Sequence, residues 1–323
     1  MSEDWRPTAT IGALRVRAAM LARARAFFAE RGVLEVTTPI LGAGGTTDPQ
    51  IESLSTRVQG IDAPLYLATS PEFAMKRLLA AGSGDIYQIC AVFRDEQRGR
   101  WHNPEFTMIE WYRLGHDDAA LMSEVEQLVA HLLAPYRRLA AAERLSYTEA
   151  IRRHAAVDAE HAGAEELRRA AAERGVDCGS ALDRDAALDL LMGFVVGPRL
   201  GHARPNFVCD YPASQAALAR LKPGPGGAPV AARFELYIDG IELANGFHEL
   251  CDAGEQRARF AADLRTRRDR AQSLPAVDRR FLAALAAGLP DTAGVALGFD
   301  RLVALAIGAD SLRGAIALPI DRA

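Results

Sequence analysis

The sequence predicts an α+β fold in which helices flank an antiparallel β-sheet. Predicted strands occur in pairs, at 85–94 with 105–114 and again across 233–250, where Asp239 and Gly240 form a two-residue hairpin turn. Helical patterns precede, separate and follow these hairpins, so helices should cover the sheet. The chain contains neither G-x-G-x-x-G nor G-x-x-x-x-G-K-[ST], which disfavours a doubly wound nucleotide-binding fold.

The N-terminal part is predicted to alternate helices with short strands. Residues 11–31 carry apolar side chains at helical spacing, and Gly32 ends that helix. A strand follows and is stopped by Pro39, and another is predicted at 65–69. The next helix should begin with an N-cap, a first-turn proline and an acid near its positive end, which are Ser70, Pro71 and Glu72.

Helices predominate in the middle of the chain and near its end. They are predicted over 117–138, much of 147–175, 182–196, 252–272, 277–287 and from Asp300 onward. The first three would form a helical insert over roughly 117–204 within a single domain spanning 1–323. Strands are predicted at 206–212 and 294–299. The glycines and prolines of 221–229 predict a flexible loop.

The composition is that of an ordinary globular protein. The chain has 323 residues, 49% of them hydrophobic and 25% charged, and its net charge of −4 argues against broad nucleic-acid binding. It contains no apolar run long enough to span a bilayer and no signal-peptide core, so the expected location is the cytoplasm. The widely spaced cysteines predict neither a zinc site nor a disulfide framework, and they are Cys90, Cys178, Cys209 and Cys251.

The loop of the first hairpin is dense in charge. Residues 93–113 contain four arginines, four carboxylates and one histidine. Alternation along the second strand puts Phe106, Met108, Glu110 and Tyr112 on one face. This pattern suits a hairpin that binds a triphosphate. The alternative is a half-buried strand with chance polar residues.

Two later stretches carry candidate ligand groups. Glu235, Glu242 and Glu249 follow one another at intervals of seven, and converging carboxylates suit Mg²⁺, although exposed glutamates are the alternative. Glu242 and Asn245 would lie on opposite faces of a regular strand, so a shared site needs a bulge or kink, which the nearby Gly246 makes plausible. In GVALGFDRL, a glycine-rich strand leads to an arginine at a helix start, which favours anions but is a weak signal alone.

Three stretches, in this order, resemble the three motifs of class II aminoacyl-tRNA synthetases. FFAERGVLEVTTPIL resembles motif 1, whose proline lies at the dimer interface and is here Pro39. VFRDE through EFTMIEWYR resembles motif 2, and GVALGFDRL resembles motif 3. TSPEFAMKRLLAAG and FELYIDGIELANGFHEL further resemble lysyl-tRNA synthetases. The resemblance implies the class II catalytic fold and a homodimer.

The chain departs from lysyl-tRNA synthetases at its N-terminus. Those enzymes carry an anticodon-binding barrel before the catalytic domain, whereas motif 1 here begins almost at the first residue, so we expect no anticodon-binding domain. The whole sequence is similar to the elongation factor P–(R)-β-lysine ligase family of stand-alone paralogues. That similarity implies ATP-dependent activation of (R)-β-lysine and transfer to a lysine side chain of elongation factor P, a protein shaped like tRNA. No tRNA substrate is expected.

The resemblance also implies a role for individual residues toward ATP and Mg²⁺. Arg94 would hold the α-phosphate and Arg301 the γ-phosphate, and these two are the expected catalytic groups. Glu96 would accept from the adenine amino group, and Phe106 would stack on the ring. Glu235 and Glu242 would hold Mg²⁺. The remaining expected ATP contacts are Asp95, His102, Asn103, the Leu243 backbone and Gly298.

For the amino acid, the resemblance implies acids at both ends of the pocket. Glu249 and Tyr112 would bind the distal ammonium, and Glu72 would face the amino group at the reacting end. Further residues would line the pocket, and they are Ser70, Pro71, Glu110, Asn245, Phe247 and Ala296. Lysyl-tRNA synthetases carry glycine where this chain has Ala296, and the added methyl would favour a β-amine.

Three other functions remain open on the sequence. They are a shortened lysyl-tRNA synthetase that charges tRNA, another amide-forming ligase of the synthetase type, and a degenerate paralogue that only binds. The presence of Arg94 and Arg301 disfavours the last, and the acids Glu72 and Glu249 favour a substrate with two ammonium groups over the second.

Overall fold

The computed structural model describes residues 5–96, 98–177, 179, 182–224 and 227–323. Cys178 lies outside these ranges, as do residues 225–226 of the predicted loop. The predicted fold class is confirmed, since helices flank a large and mainly antiparallel sheet.

The strands form one large sheet and one small sheet. In chain order they are β1 (Leu34–Glu35), β2 (Leu41–Gly42), β3 (Ser55–Thr56), β4 (Leu65–Leu67), β5 (Ile86–Phe93), β6 (Glu105–Leu114), β7 (Glu143–Ser146), β8 (Asn206–Pro212), β9 (Leu221–Pro223), β10 (Pro229–Ile238), β11 (Ile241–His248) and β12 (Thr292–Gly298). The large sheet has the order β1-β5-β6-β12-β11-β10-β8-β7, with β9 also paired to β10, and the small one has the order β2-β4-β3. Strand β1 pairs with β5 in parallel, as β7 does with β8, and the other pairs are antiparallel.

Most helices begin at a side chain that caps them. The helices are α1 (Ile11–Ala29), α2 (Glu72–Ala80), α3 (Asp118–Leu133), α4 (Tyr147–Ala155), α5 (Ala164–Ala172), α6 (Arg184–Leu190), α7 (Ala253–Asp269), α8 (Arg279–Gly288) and α9 (Phe299–Ile307). Thr10, Asp117, Ser146 and Asp252 accept hydrogen bonds from the first turns of α1, α3, α4 and α7. These oxygens satisfy amide groups that lack a partner inside the helix.

The two faces of β6 have different environments. Ile109 and Trp111 are fully buried in a core formed with α1, α3 and α9, where Phe28 packs edge-on against Trp111. Glu110 and Tyr112 therefore point to the opposite face, which α2 covers together with α7 and α8. Phe73 of α2 stacks on Phe281 of α8, so these helices form a packed wall beside the sheet.

Three local predictions need correction. Helix α2 begins one residue later than expected, so Pro71 is its N-cap residue, although the Ser70 hydroxyl still accepts a hydrogen bond from the Glu72 amide. The start of the predicted loop at 221–229 is strand β9, because it pairs with the beginning of β10. The region 117–204 also contains a strand, β7, which extends the large sheet at its edge.

Over the described ranges, the structure contains no helix that is both long enough and apolar enough to cross a membrane.

Candidate active site

Adjacent strands bring the predicted pocket residues into rows across the sheet. Glu110 of β6 lies opposite Ala296 of β12, which in turn lies opposite Asn245 of β11. Two residues further along these strands, Tyr112 is opposite Gly294, and Gly294 is opposite Phe247. Residues separated by well over a hundred positions in the chain thus share one face of the sheet.

The expected irregularity of β11 is present, and it lies at Leu243. Leu236 pairs with Ala244, whereas the next residue of β10, Tyr237, pairs with Glu242. Leu243 is therefore the extra residue of a β-bulge, and it resolves the parity conflict between Glu242 and Asn245. Gly246 has a different role, because a Cβ there would lie 2.7 Å from a ring carbon of Phe234.

Two arginines lie within electrostatic range of each other at one end of this face. The Arg301 guanidinium donates to the carbonyl oxygens of Glu242 (2.7 Å) and Trp101 (3.2 Å). Burial lowers the pKa of Arg94, and the charge of Arg301 lowers it further, while Glu96 and Glu242 oppose the shift. The two guanidinium groups are thus close enough for the Arg301 charge to act on Arg94, and two neighbouring cations suit an anionic ligand.

The first hairpin supplies the groups around these arginines. The Arg94 guanidinium carbon lies 5.2 Å from the centre of the Phe106 ring. His102 Nε2 lies 3.1 Å from an Arg301 nitrogen, and burial together with the Arg301 charge lowers the pKa of His102. Asp95 is exposed, whereas Glu96 is half-buried.

Asn103 has structural partners that the sequence did not indicate. Its amide donates to the Glu105 carbonyl (2.6 Å), and its side-chain oxygen accepts from the Ile320 amide (3.1 Å). The Asn103 amide therefore stays within the hairpin, and only its side-chain oxygen connects the hairpin loop to the C-terminal segment. The contact of Asn103 with ATP stays a prediction.

The proposed metal carboxylates differ in how freely they can bind a cation. Glu235 accepts from Arg233 (2.5 Å) and from the Tyr237 hydroxyl (2.7 Å), so both of its oxygens are engaged. Burial raises the pKa of Glu242 to about 7, and the neighbouring Glu235 charge adds to this shift. Mutually repelling buried carboxylates fit a divalent cation. Within the described ranges, however, no group of three or more His, Cys, Asp or Glu side chains is arranged to bind a metal.

A buried cluster of charges lies at the other end of the face. Glu249 is 1% exposed and forms an ion pair of 2.5 Å with Lys76, which also contacts Glu72 at 2.6 Å. The Tyr112 hydroxyl donates to Glu110 Oε1 at 2.7 Å. The second oxygen of Glu110 and the side-chain oxygen of Asn245 are buried without a hydrogen-bond partner among the described residues.

Burial dominates the ionisation of this cluster. It raises the pKa of Glu249 to about 8, against the opposing charge of Lys76. It also raises the pKa of Glu110 well above its usual value, with the Glu72 charge acting in the same direction. Burial lowers the pKa of Lys76, but the charges of Glu249 and Glu72 outweigh it and the net shift is upward. The cluster therefore retains its ammonium, while Glu110 and Glu249 resist ionisation.

Sequence reasoning missed several groups that shape the site. The sequence indicates only that Lys76 belongs to a helix. It also gives no sign of the ion pair between Arg17 and Asp300, the acid that precedes Arg301. Gly294 was also missed, although a Cβ there would lie 2.6 Å from Glu249 Oε1 and closer still to the Tyr112 ring. The sequence did indicate Gly298 as a site residue, and a Cβ added there would lie 3.7 Å from the nearest atoms.

Comparison with known proteins agrees with this arrangement. The family model for tRNA synthetases class II (D, K and N) matches residues 4–322, and the chain belongs to that family. Among curated proteins, the chain is 49% identical to elongation factor P–(R)-β-lysine ligases of Salmonella dublin and Salmonella typhimurium, over 100% of both chains. The protein of the same name from Enterobacter sp. (strain 638) is 48% identical, again over 100% of each.

Proposed function

We propose that this chain is an ATP-dependent ligase that activates (R)-β-lysine as its adenylate and transfers it to a lysine side chain of elongation factor P. One observation carries the proposal: Arg94 after β5 and Arg301 in α9 contact β6 and β11, and the buried acids Glu110 and Glu249 come from these same strands or their ends, which β12 joins. Full-length similarity to ligases of that name supports the identity of both substrates.

The arginine end would bind ATP. A guanidinium presents two parallel donors that match phosphate oxygens, so Arg94 and Arg301 would hold the α- and γ-phosphates from two sides. The Phe106 ring would stack on adenine, and Glu96 would accept from its amino group. Glu242, assisted by Glu235, would hold Mg²⁺, which when bound would screen the phosphate charge.

The acidic end would bind the amino acid. β-Lysine carries two ammonium groups, and each needs a carboxylate when it leaves water. Glu249 and Tyr112 would bind the distal ammonium, and Glu72 the amino group near the reacting carboxylate. Asn245 Oδ1 and Glu110 Oε2 offer buried acceptors that such a ligand would satisfy.

The reaction would need no nucleophilic side chain. A carboxylate oxygen of β-lysine would attack the α-phosphorus and pyrophosphate would leave, which gives a mixed anhydride. The amine of the acceptor lysine would then attack the carbonyl carbon, lose a proton and release AMP. The protein would act by aligning these groups and by stabilising the charge on phosphorus with Arg94.

The test is ATP–pyrophosphate exchange with (R)-β-lysine, α-lysine and other amino acids, followed by assays of acceptors. The proposal expects exchange with β-lysine and transfer to elongation factor P. Charging of tRNA would instead support a shortened lysyl-tRNA synthetase. Absence of exchange with every amino acid would support a binding protein and contradict the proposal.

We propose further that the protein acts in the cytoplasm as a homodimer. Pro39 is exposed, and the large apolar side chains of Leu34, Ile40 and Leu41 around it are between 40% and 55% exposed. A cluster of this kind suits a surface that a second copy covers.

A further inference from the structure

Lys76 occupies an unusual position for a lysine. It is one of only two lysines in the chain, and its side chain is 1% exposed. Its ammonium lies between carboxylates that come from different parts of the fold, Glu72 on its own helix and Glu249 just after β11. On its other side, the nitrogen lies 5.7 Å from the centre of the Phe281 ring.

The charge count of the pocket depends on this ammonium. Glu72, Glu110 and Glu249 act on one another electrostatically, and of the three only Glu72 is partly exposed. The ammonium groups of a bound ligand would favour ionisation of these acids, and with Lys76 charged the three ionised acids leave two negative charges, which matches a ligand with two ammonium groups. Without Lys76, the acids would lose a cation that lowers the pKa of Glu249 and of Glu110, so they would hold their protons more firmly and pair less readily with the ammonium groups of a ligand.

We propose that Lys76 is a specificity-determining positioning residue, which aligns Glu72 and Glu249 and fixes the pocket charge so that ligands with two ammonium groups are selected over ligands with one. This inference rests on the proposed function, because it concerns the selectivity of the same pocket. Lys76 itself need not touch the reacting atoms, since it acts through the two carboxylates that it holds.

The electrostatic surroundings agree with this role. Lys76 and Arg220 are the cations that lower the pKa of Glu249, and Lys76 is the larger influence. The other titratable groups that interact with this cluster are Glu72, Cys90, Glu110, Tyr112 and Cys251. Removal of the Lys76 charge should therefore raise the pKa of Glu249 further and shift the pH at which the pocket binds cations.

The experiment compares Lys76→Met and Lys76→Arg with a matched control, Lys222→Met. Lys222 also lies between two carboxylates, Asp118 at 2.5 Å and Asp210 at 2.8 Å, but on β9, outside the pocket. KM and kcat for ATP–pyrophosphate exchange are measured with β-lysine and with norleucine, which lacks the distal ammonium. Thermal unfolding of each variant is recorded in parallel.

Lys76→Met should raise KM for β-lysine by about ten-fold to a hundred-fold, the loss typical of a charged hydrogen bond. The change in kcat should be small, the selectivity against norleucine should fall, and the optimum for β-lysine should move to higher pH. Lys76→Arg should retain most of the selectivity. Lys222→Met should lose stability without any change in selectivity.

Several outcomes would overturn the inference. They are an unchanged β-lysine to norleucine ratio in Lys76→Met, an equal loss with both ligands, or the same loss in Lys222→Met. If Lys76→Met does not fold, Lys76→Gln replaces it, because an amide can still donate hydrogen bonds to the two carboxylates without carrying the charge, and the same ratio decides. Absence of exchange by the wild-type chain would instead contradict the proposed function, and the inference would fail with it.

Discussion

An alanine at position 294 should distort the pocket without changing any charge. The added Cβ would lie 2.6 Å from Glu249 Oε1 and nearer still to ring carbons of Tyr112, whereas ordinary contacts begin near 3.4 Å. Neither the Tyr112 ring nor the Glu249 carboxylate has space to move away from the added methyl group. Tyr112 is 2% exposed and bonded to Glu110, and Glu249 is 1% exposed and paired with Lys76.

Overpacking of this kind costs about 1–3 kcal/mol. For a chain of this length, each kcal/mol lowers Tm by roughly 2 °C, so Gly294→Ala should unfold about 2–6 °C below wild type. The displaced carboxylate should also weaken ammonium binding, so KM for β-lysine in ATP–pyrophosphate exchange should rise about ten-fold or more. KM for ATP should change little.

Gly298→Ala is the matched control for stability, because it adds the same methyl to the same strand with no atom closer than 3.7 Å. Its Tm should stay within about 1 °C of wild type. Any kinetic effect at position 298 should appear in KM for ATP, since the site proposed for the nucleotide adjoins it. The reasoning is refuted if Gly294→Ala matches wild type in both Tm and KM for β-lysine.

Three further predictions concern the remaining parts of the site. Glu249→Gln should raise KM for β-lysine by more than about ten-fold while ATP affinity is unchanged, and an equal loss of ATP binding would contradict this placement. In the wild type, KM for β-lysine should fall as pH rises through about 8, because Glu249 then loses its proton and can pair with an ammonium. This dependence on pH should be weaker in Glu249→Gln. Arg301→Met should weaken ATP binding by about ten-fold or more in a titration with nucleotide, and unchanged affinity would argue against the γ-phosphate role. Ile40→Asp should shift the mass in solution toward monomer by light scattering, and a wild-type dimer that persists in the variant would exclude this surface.

Alternating polarity was sufficient to predict much of the site. The observed strands at Glu105–Leu114 and Asn206–Pro212 have the predicted bounds, because each is a run rich in β-branched and aromatic residues that turn residues flank. The conflict of faces between Glu242 and Asn245 correctly predicted an irregular strand. It did not give the position of the bulge, because Gly246 is glycine for contact with Phe234 and Leu243 shows no local signal.

Long-range contacts explain what sequence reasoning missed. A lysine on a short amphipathic helix is ordinarily solvated, and only the approach of Glu249 and the Phe281 ring makes Lys76 a buried group. The need for glycine at 294 depends on Tyr112 of the neighbouring strand, far away in sequence. The engagement of Asn103 with the Ile320 amide likewise depends on where the C-terminal segment folds back.

The central claim is that the arginine end and the acidic end of one sheet face together activate a diammonium acid and pass it to a protein amine. The most direct measurement is the intact mass of elongation factor P after incubation with this protein, ATP, Mg²⁺ and (R)-β-lysine. The account predicts an increase by one β-lysyl group on a lysine side chain, which disappears when ATP is omitted. An unchanged mass, under conditions in which the similar ligase of Salmonella typhimurium modifies the same acceptor, would contradict it.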